Sequence, residues 1–270
     1  MGMKLKTFLC SILTIIPALM LPSRPLHAAE PAGKEIQPFR LICYNIHHGE
    51  GMDGKVDLER IAAFLRASRP DAVALQEVDR HCARTGRVDQ AAELGRLMGM
   101  TATFQKAMDF DGGEYGICIL TKNPPLAAGR IPLPDGAEPR VGQWVKVAGP
   151  GGGHLTLANT HLDAGPEDGR LAQAKALTAK LAELPGTILL AGDFNAVRGD
   201  AVMTAVAGAG WEIPLKQGPA ATVPVQNPRR EIDFVVIHPA GALRIGKYVV
   251  LDEAVASDHR AILIEAPAPD

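Results

Sequence analysis

The segment Leu189–Asn195 reads Leu-Leu-Ala-Gly-Asp-Phe-Asn, an apolar run that ends in an acid and an amide two positions apart. A short apolar run bounded by turn-forming residues is typical of a buried strand, and residues two apart in a strand point to the same side. We therefore predict that Asp193 and Asn195 emerge together at the tip of a core strand, where functional side chains are common. Taken alone, the pattern is only moderately specific, because Asp and Asn also form ordinary turns.

Other apolar segments of the chain also border groups that bind metal ions or move protons. They are Phe39–Asn45, Asp71–Glu77, His154–Asp163 and, near the C-terminus, Ile232–Ile237 and Ser257–Ile264. A single His or Asn at a strand end is more often an ordinary turn residue. A recurrence of such ends across the whole chain is hard to explain by turn chemistry, so we predict a functional site built from strand ends.

The ordered set of motifs resembles the endonuclease/exonuclease/phosphatase superfamily, which contains deoxyribonuclease I, apurinic endonucleases, inositol polyphosphate phosphatases and bacterial sphingomyelinases. The motifs are Tyr44-Asn45-Ile46, Leu75-Gln76-Glu77-Val78-Asp79, Asn159-Thr160-His161-Leu162, Gly192-Asp193-Phe194-Asn195, Ile232-Asp233-Phe234 and Ser257-Asp258-His259. Each is weak alone, but all six occur in the family's order. The resemblance implies an α+β fold, a four-layer α/β/β/α sandwich. In that fold two mixed β-sheets pack face to face with helices on both outer faces, and the site lies at one end.

The resemblance also implies a metal site. Glu77 would be the principal ligand, Asn45 would lie beside it, and Asp258 would complete the site from the opposite side of the sandwich. Carboxylate and amide oxygens are hard ligands, which suit Mg²⁺ or Mn²⁺. A zinc hydrolase is disfavoured because no pair of histidines has helical metal spacing; His47 and His48 are adjacent and are expected to point to opposite sides of an extended chain.

Five further residues form the catalytic set that the resemblance implies. Asp193 would position or deprotonate the attacking water, while Asn195 and His161 would bind phosphate oxygens as negative charge develops. His161 would become partly cationic beside the phosphate. Asp233 would orient His259, which would act either as proton acceptor or as phosphate binder. The expected reaction is metal-assisted attack of water on a phosphate ester, without a covalent intermediate.

Four residues are candidates for substrate contact. His47 follows the Asn45 motif, where deoxyribonucleases and apurinic endonucleases carry different residues. Arg84 and Arg87 lie in a loop after the Glu77 motif that could overhang the site, and Arg140 could reach inward from between two apolar neighbours. For the arginines, the alternative is an ordinary solvated surface position.

The reaction class is better defined than the substrate. The leading interpretation is a phosphodiesterase that acts on nucleic acid or on phospholipid or phosphoinositide phosphate esters, as a monomer without an obligate protein partner. Aromatic residues make up only 4% of the chain, which leaves little material for stacking on single strands. One alternative is a phosphomonoesterase acting on a soluble sugar or inositol phosphate. Another is a catalytically inert binding or effector module, although such relatives usually lose a metal ligand or the His–Asp pair, and both are present here.

Residues 1–29 are predicted to be a secretory signal peptide and residues 30–270 the catalytic domain. Two N-terminal lysines precede an apolar run from Phe8 to Leu21, and small residues follow at Ala28-Ala29, as in export signals. The apolar run is shorter than the ~20 residues that span a bilayer, although an uncleaved anchor is the alternative. We expect export to a periplasmic or extracellular space.

The charge of the chain bears on nucleic-acid binding, and its cysteine content limits the number of disulfides. The chain has a formal net charge of −2, and the predicted signal contains three basic residues and no acid, so the mature chain would be more acidic. It therefore lacks the basic footprint of a tight duplex binder. The odd set Cys43, Cys82 and Cys118 allows at most one disulfide, and we predict that Cys43 and Cys118 pack as small apolar groups.

The remaining pattern alternates strands with helices. Helices are predicted over Val56–Ser68, Asp89–Met98, Arg170–Leu184 and Ala201–Gly208. Gly149–Gly153 is predicted to be a hairpin turn, because glycine and proline mark turns. A phosphate-binding loop is disfavoured there, because the segment lacks the Lys-Ser/Thr ending. Arg170 and Gln173 lie three apart on one helix face, and we expect them to hold the loop after His161 rather than to contact substrate.

Overall fold

A computed structural model describes residues 1–3, 37–149 and 152–267 of the chain. The predicted signal peptide and its cleavage point fall almost entirely within residues 4–36, outside the described residues, so both stay predictions. All helices and strands described below lie in one structural unit, Ile36–Asp270.

Eleven strands are described in this unit. They are β1 (Phe39–Asn45), β2 (Ala72–Arg80), β3 (Thr101–Phe110), β4 (Gly113–Thr121), β5 (Ala127–Pro132), β6 (Val141–Ala148), β7 (His154–His161), β8 (Thr187–Asp193), β9 (Asp233–His238), β10 (Lys247–Val250) and β11 (Ile262–Ala266). The α-helices are α1 (Leu58–Ala67), α2 (Gln90–Met98), α3 (Glu167–Ala182) and α4 (Ala201–Gly208).

The strands form two mixed sheets. The first has six strands in the order β10-β11-β1-β2-β4-β3, and the second has five in the order β5-β6-β7-β8-β9. In each sheet one neighbouring pair is parallel, β1 with β2 and β7 with β8, and the other pairs are antiparallel. A helix precedes the second strand of each parallel pair, as a crossover connection requires.

Three apolar clusters separate four layers. Alternate residues of β1 divide between two of them: Leu41 and Cys43 face the second sheet, whereas Ile42 and Tyr44 face α1 and α2. The third cluster packs α3 and α4 against the outer face of the second sheet. The predicted α/β/β/α sandwich, with helices on both outer faces, is therefore confirmed.

Aspartate caps start three of the four helices. Asp57, Asp89 and Asp200 each accept a hydrogen bond at 2.9 Å from the backbone amide three residues later, which satisfies a free amide of the first turn. The bounds of α4 are as predicted, and α2 begins one residue after the predicted start because Asp89 caps it. Helix α1 starts at Leu58 rather than Val56 because Asp57 caps it, and α3 runs from Glu167 to Ala182 rather than from Arg170 to Leu184.

Two local predictions can be compared with the structure. Strands β6 and β7 are antiparallel and the Gly149 amide donates to the Gly153 carbonyl at 2.8 Å, so a hairpin connects them. Cys43, Cys82 and Cys118 are all buried free thiols. Among the described residues, no helix is long and apolar enough to cross a bilayer.

Candidate active site

The register of the second sheet brings three predicted residues side by side. His161 pairs with Asp193 across the parallel β7–β8 ladder, and Asp193 pairs with Asp233 across the antiparallel β8–β9 ladder. In the first sheet, Asn45 at the end of β1 pairs with Gln76 of β2. The two sets of strand ends meet, because the Asn45 side-chain amide donates to Asp193 at 3.1 Å.

Local backbone irregularities direct two of the predicted side chains. The β2–β4 register shifts between Leu75 and Val78, and Glu77 within that bulge has a φ of 58°. Bulges re-aim side chains next to active sites, and the Glu77 carboxylate accepts from Asn45 Nδ2 at 3.0 Å. Asn195 has a φ of 49°, and its backbone amide donates to Asp193 Oδ1 at 2.8 Å. Such positive φ values outside glycine are strained and concentrate at functional sites.

A buried amide pair ties the two sheets together beneath the site. Gln76 Nε2 donates to Asn159 Oδ1 at 2.7 Å, and Asn159 Nδ2 donates to the carbonyls of Leu75 and Cys118. Both amides are fully buried, where an unpaired polar group would be costly. Since Gln76 precedes Glu77 and Asn159 lies two residues before His161, this pair fixes the spacing between the two halves of the site.

His259 forms the predicted pair with Asp233 and also faces Asp193. Its Nδ1 lies 3.0 Å from Asp233 Oδ2, and its Nε2 lies 3.6 Å from Asp193 Oδ2. Burial alone would lower the pKa of His259, but the charge and hydrogen bond of Asp233 and the charge of Asp193 raise it to about 10. Burial, followed by the charge of Asp233, raises the pKa of Asp193. His259 is therefore an imidazolium held between two carboxylates.

His161 has the opposite character. Its Nδ1 lies 3.0 Å from a guanidinium nitrogen of Arg140, and because arginine can only donate, this contact favours a ring proton on Nε2. Nε2 lies 3.6 Å from Asp193 Oδ2 and 3.1 Å from the side-chain nitrogen of Asn195, which is also a donor. Burial and then the charges of Arg140 and His259 lower the pKa of His161 well below its usual value. His161 is therefore neutral in the free site, and its partly cationic form beside a phosphate stays a prediction.

The donor set of the site fits a divalent cation. Glu77 and Asn45 supply hard oxygens, and Asp233 Oδ1 is buried without a hydrogen-bond partner. Asp193, Asp233 and His259 form the one group of three acidic or histidine side chains within the described residues whose potential ligand atoms all lie within 4.8 Å of one another. We nevertheless favour Glu77 and Asn45 as primary ligands, because their hard oxygen donors suit Mg²⁺ or Mn²⁺ better than an imidazole does.

Asp258, the third predicted metal ligand, is close to this pair but less directly connected. Ser257 Oγ donates to the Asn45 carbonyl at 2.7 Å and lies 3.4 Å from Asp258 Oδ1, which places Asp258 beside the end of β1. Among the described residues, no hydrogen bond joins the Asp258 carboxylate to Glu77. Its role as a metal ligand stays a prediction.

Seven of the twelve predicted residues line a cavity of about 310 Å³, whereas Asn45, Asp233 and Asp258 are not among its lining residues. It is lined by Glu77, Arg84, Met108, Phe110, Tyr115, Glu138, Arg140, His161, Ala164, Asp193, Asn195 and His259. Arg84 is held by the buried Asp79 through two hydrogen bonds of 2.8 Å and lies 4.5 Å above the Phe110 ring. The Arg140 guanidinium contacts Glu138 at 2.7 Å.

Two predicted substrate contacts lie outside the lining of this cavity. Arg87 follows the left-handed Gly86 and itself has a φ of 60°, which turns it toward Gly112 at the β3–β4 turn. His47 Nδ1 lies 3.2 Å from the Glu50 carbonyl. His47 and His48 share a 3₁₀ turn with their rings 4.4 Å apart, so the expectation that they point to opposite sides was wrong.

Sequence reasoning did not identify Tyr115 or Glu138 as site residues. The Tyr115 hydroxyl lies 3.5 Å from His161 Nδ1, and Glu138 binds Arg140. No local motif marks either residue. Arg170 and Gln173, by contrast, hold the loop after His161 as predicted: Gln173 accepts from the Asp163 amide at 2.9 Å and Arg170 donates to the Asp163 carbonyl at 3.0 Å.

The family profile described as the Endonuclease/Exonuclease/phosphatase family matches residues 42–259, which hold every predicted site residue. The chain belongs to this family. Endonuclease/exonuclease/phosphatase proteins are generally phosphoesterase hydrolases, and they include phosphatases, nucleases and phosphodiesterases. The predicted family membership is therefore confirmed, whereas no curated protein matches the sequence significantly.

Solved structures show the same fold. An endonuclease/exonuclease/phosphatase from Beutenbergia cavernae DSM 12333 has a TM-score of 0.72 at 23% identity, covering 86% of this chain and 72% of that one. The mannosyl-6-phosphatase Bt3783 of Bacteroides thetaiotaomicron VPI-5482 has a TM-score of 0.70 at 18% identity, covering 84% and 99%. The human Nocturnin catalytic domain with bound sulfate has a TM-score of 0.67 at 20% identity, covering 85% and 93%.

Proposed function

We propose that this protein is a divalent-metal-dependent phosphodiesterase that hydrolyses nucleic acid or phospholipid or phosphoinositide phosphate esters by attack of water. The observation that carries the proposal is the arrangement around Asp193. His259 and His161 each approach Asp193 Oδ2 to 3.6 Å, and Asn45 joins Asp193 to Glu77 through bonds of 3.1 and 3.0 Å. Asp193, whose pKa is raised, the His259 imidazolium and the Glu77 carboxylate then line one cavity, with Asn45 buried behind Glu77.

Glu77 and Asn45, with Asp258 beside them, would hold Mg²⁺ or Mn²⁺. When bound, such an ion neutralises phosphate charge and acts as a Lewis acid. The Asn45 amide now directs its nitrogen at Glu77 and Asp193, while its oxygen accepts from the His47 backbone amide at 3.0 Å. Metal binding would require this amide to turn, which exchanges the two ends of a side chain of nearly equal shape.

Asp193 would take the proton of the attacking water. Burial and the nearby Asp233 charge raise its pKa, which brings a carboxylate closer to the range where a general base works best at neutral pH. His259 stays protonated through its contacts with Asp233 and Asp193, so its Nε2–H would donate to a phosphate oxygen. Of the two roles predicted for His259, this charge state favours phosphate binder over proton acceptor.

Asn195 and His161 would donate to the oxygen on which charge develops. The Nε2 atom of neutral His161 and the side-chain nitrogen of Asn195 lie 3.1 Å apart, and both residues line the cavity beside Asp193. Preorganised donors aimed at developing charge contribute strongly to catalysis. The chain therefore offers donors from both His259 and the His161–Asn195 pair around one phosphate position.

The charge of the lining supports a diester over a monoester. Asp79 neutralises Arg84, and Glu138 neutralises Arg140, so neither guanidinium is available as a free charge. A singly charged diester needs less compensation by positive charge than a doubly charged monoester.

The size of the cavity, about 310 Å³, favours a second candidate: a phosphomonoesterase acting on a soluble sugar or inositol phosphate. The structural likeness to a mannosyl-6-phosphatase also supports this candidate.

The test compares three substrates in Mg²⁺ or Mn²⁺ with an EDTA control: supercoiled plasmid, bis(p-nitrophenyl) phosphate and p-nitrophenyl phosphate. Metal-dependent nicking that His259→Ala abolishes would support the nuclease assignment. Hydrolysis of the small diester without nicking would redirect the assignment to a phospholipid or phosphoinositide head group. Hydrolysis of the monoester alone would favour the second candidate, and no hydrolysis of any of the three would contradict the proposal.

We also propose that the protein is exported and acts as a monomer. The N-terminal pattern of lysines, apolar run and small residues supports export. Fractionation of expressing cells and the mass of the purified protein in solution test the two statements separately.

A further inference from the structure

The loop that brings Arg140 into the cavity rests on one buried carboxylate. Asp163 lies two residues after His161 and is 1% exposed. Its Oδ1 accepts from the Gly165 backbone amide at 2.9 Å, and its Oδ2 accepts from the Ala137 backbone amide. This single side chain therefore joins the segment after β7 to the loop before β6.

Two residues of α3 complete the same network. Gln173 accepts from the Asp163 amide at 2.9 Å and donates to the Pro134 carbonyl at 3.2 Å. Arg170 donates to the carbonyls of Asp163 and Gly165 at 3.0 and 2.8 Å. Helix α3 thus anchors both loops at once.

Asp163 is held by backbone amides. Burial alone would raise its pKa, but the amides of Gly165, Ala137 and Glu138, together with the charge of Arg140, lower it. A carboxylate that accepts several backbone N–H groups is strongly favoured in its charged form. Its contacts therefore fix the course of the backbone at Ala137 and Glu138.

The network ends on His161, which would face the phosphate in the proposed reaction. Glu138 holds one end of the Arg140 guanidinium at 2.7 Å, and the other end lies 3.0 Å from His161 Nδ1. We propose that Asp163 is a positioning residue: by clamping the backbone at Ala137 and Glu138, it places Arg140 on His161 and so holds His161 in the Nε2–H tautomer. The inference rests on the proposed hydrolysis, in which that N–H donates to phosphate.

Two glycines show how closely the clamp is fitted. A Cβ on Gly136 would overlap the Asp163 carboxylate and lie 2.9 Å from Gln173 Nε2, and a Cβ on Gly165 would lie 2.7 Å from the Ala137 Cβ. Gly136 is not among the residues with positive φ, so alanine is acceptable to the backbone there. Gly136→Ala therefore displaces the Asp163 carboxylate without changing the residue itself.

The kinetic test uses Asp163→Asn and Gly136→Ala with bis(p-nitrophenyl) phosphate and Mn²⁺. In Asp163→Asn an amide N–H meets a backbone N–H, which breaks one side of the clamp. We expect kcat to fall about tenfold or more, as small misplacements of catalytic groups do, and KM to change less than about twofold. Val206→Ala is the control: it shortens a buried side chain of α4 in the third apolar cluster, so it should lower the melting temperature without touching the clamp.

A second measurement does not depend on turnover. Nitrogen-15 NMR of the imidazole, assigned with His161→Gln, reports which ring nitrogen carries the proton. We expect the Nε2–H form in the wild type and in Val206→Ala, and a mixture of tautomers in Asp163→Asn and Gly136→Ala. If the wild type hydrolyses no phosphate ester but these tautomers respond, the proposed function fails while the clamp stands.

A double-mutant cycle closes the argument. In an Asp163→Ala background, Gly136→Ala has no carboxylate to displace, so the second substitution should change kcat less than about twofold. Full additivity of the two losses would place the effect of Gly136→Ala elsewhere. Two results together would overturn the positioning role. Asp163→Asn would keep the wild-type tautomer of His161, and its loss of kcat would be no larger than that of Val206→Ala at an equal loss of melting temperature.

Discussion

His161 and His259 both face the Asp193 carboxylate but differ in charge, since His161 is neutral and His259 is a cation. Each places its Nε2 3.6 Å from Asp193 Oδ2. The Nδ1 of His259 meets the Asp233 carboxylate at 3.0 Å, whereas the Nδ1 of His161 meets the Arg140 guanidinium at 3.0 Å. Burial lowers the pKa of both rings, Arg140 lowers that of His161 further, and Asp233 and Asp193 raise that of His259. One site thereby obtains a neutral and a cationic imidazole from the same residue type.

The largest effect is expected for His259, because it supplies a charged donor. His259→Ala should lower turnover about 10²-fold or more, while His161→Ala should cost about tenfold, since a neutral donor and the adjacent Asn195 are partly redundant. Initial rates with bis(p-nitrophenyl) phosphate measure both variants. Equal losses would contradict the distinction between the two imidazoles.

Exchanging the partner of His161 tests the cause of its charge state. Burial is the first cause of its lowered pKa and Arg140 the second, so Arg140→Met should raise that pKa without restoring its usual value. Arg140→Lys keeps the positive charge and is the matched control. Titration of the His161 ring signals in apo protein checks both variants, and an unchanged pKa in Arg140→Met would remove Arg140 from the account.

The pH dependence of the free energy of unfolding tests the charge assigned to His259. Its pKa of about 10 in the fold lies above its usual 6.5, so its stabilisation is fully present below 6.5 and is lost as the pH rises toward 10. The raised pKa of Asp193 acts in the same direction over its own range. In EDTA, His259 should make the free energy of unfolding, measured in urea, about 4 kcal/mol lower at pH 9.5 than at pH 6 in the wild type.

The matched variants separate the two imidazoles in that experiment. His259→Gln should flatten the pH dependence, whereas His161→Gln should keep it and steepen it slightly near pH 6, because the neutral folded His161 binds fewer protons there than it does in the unfolded chain. A wild type that becomes more stable between pH 6.5 and 9.5 would contradict the assigned charge of His259. Loss of the pH dependence in His161→Gln would reverse the assignment of the two rings.

The same contrast explains how far the sequence could reach. The strand ends were predictable, because each is a local apolar run followed by a polar group, and β7, β8 and β9 place His161, Asp193 and Asp233 as those runs imply. The charge states were not predictable. They depend on partners far along the chain, such as Arg140, 21 residues from His161, and Asp233, 26 residues from His259.

Other parts of the site carry no readable local signal. Tyr115 lies 46 residues from His161 in sequence and reaches it only because the two sheets face each other. Glu138 acts through an ion pair with Arg140 and Asp163 through bonds to backbone amides of loops, and neither leaves a periodic pattern. The bulge that directs Glu77 is likewise a property of the β2–β4 pairing. Long-range pairing therefore decides what the local runs leave open.

The smallest effect is expected for Arg87, which the sequence placed in the same class as Arg140. Arg140 is buried and touches His161, whereas Arg87 is exposed and lies outside the cavity lining. Arg87→Ala should change kcat and KM less than about twofold and the free energy of unfolding by less than about 0.5 kcal/mol, as surface substitutions usually do. A tenfold rise in KM with an unchanged melting temperature would instead mean that the substrate extends beyond the cavity to the β3–β4 turn. That result would favour a long substrate, such as a nucleic acid, over a small head group.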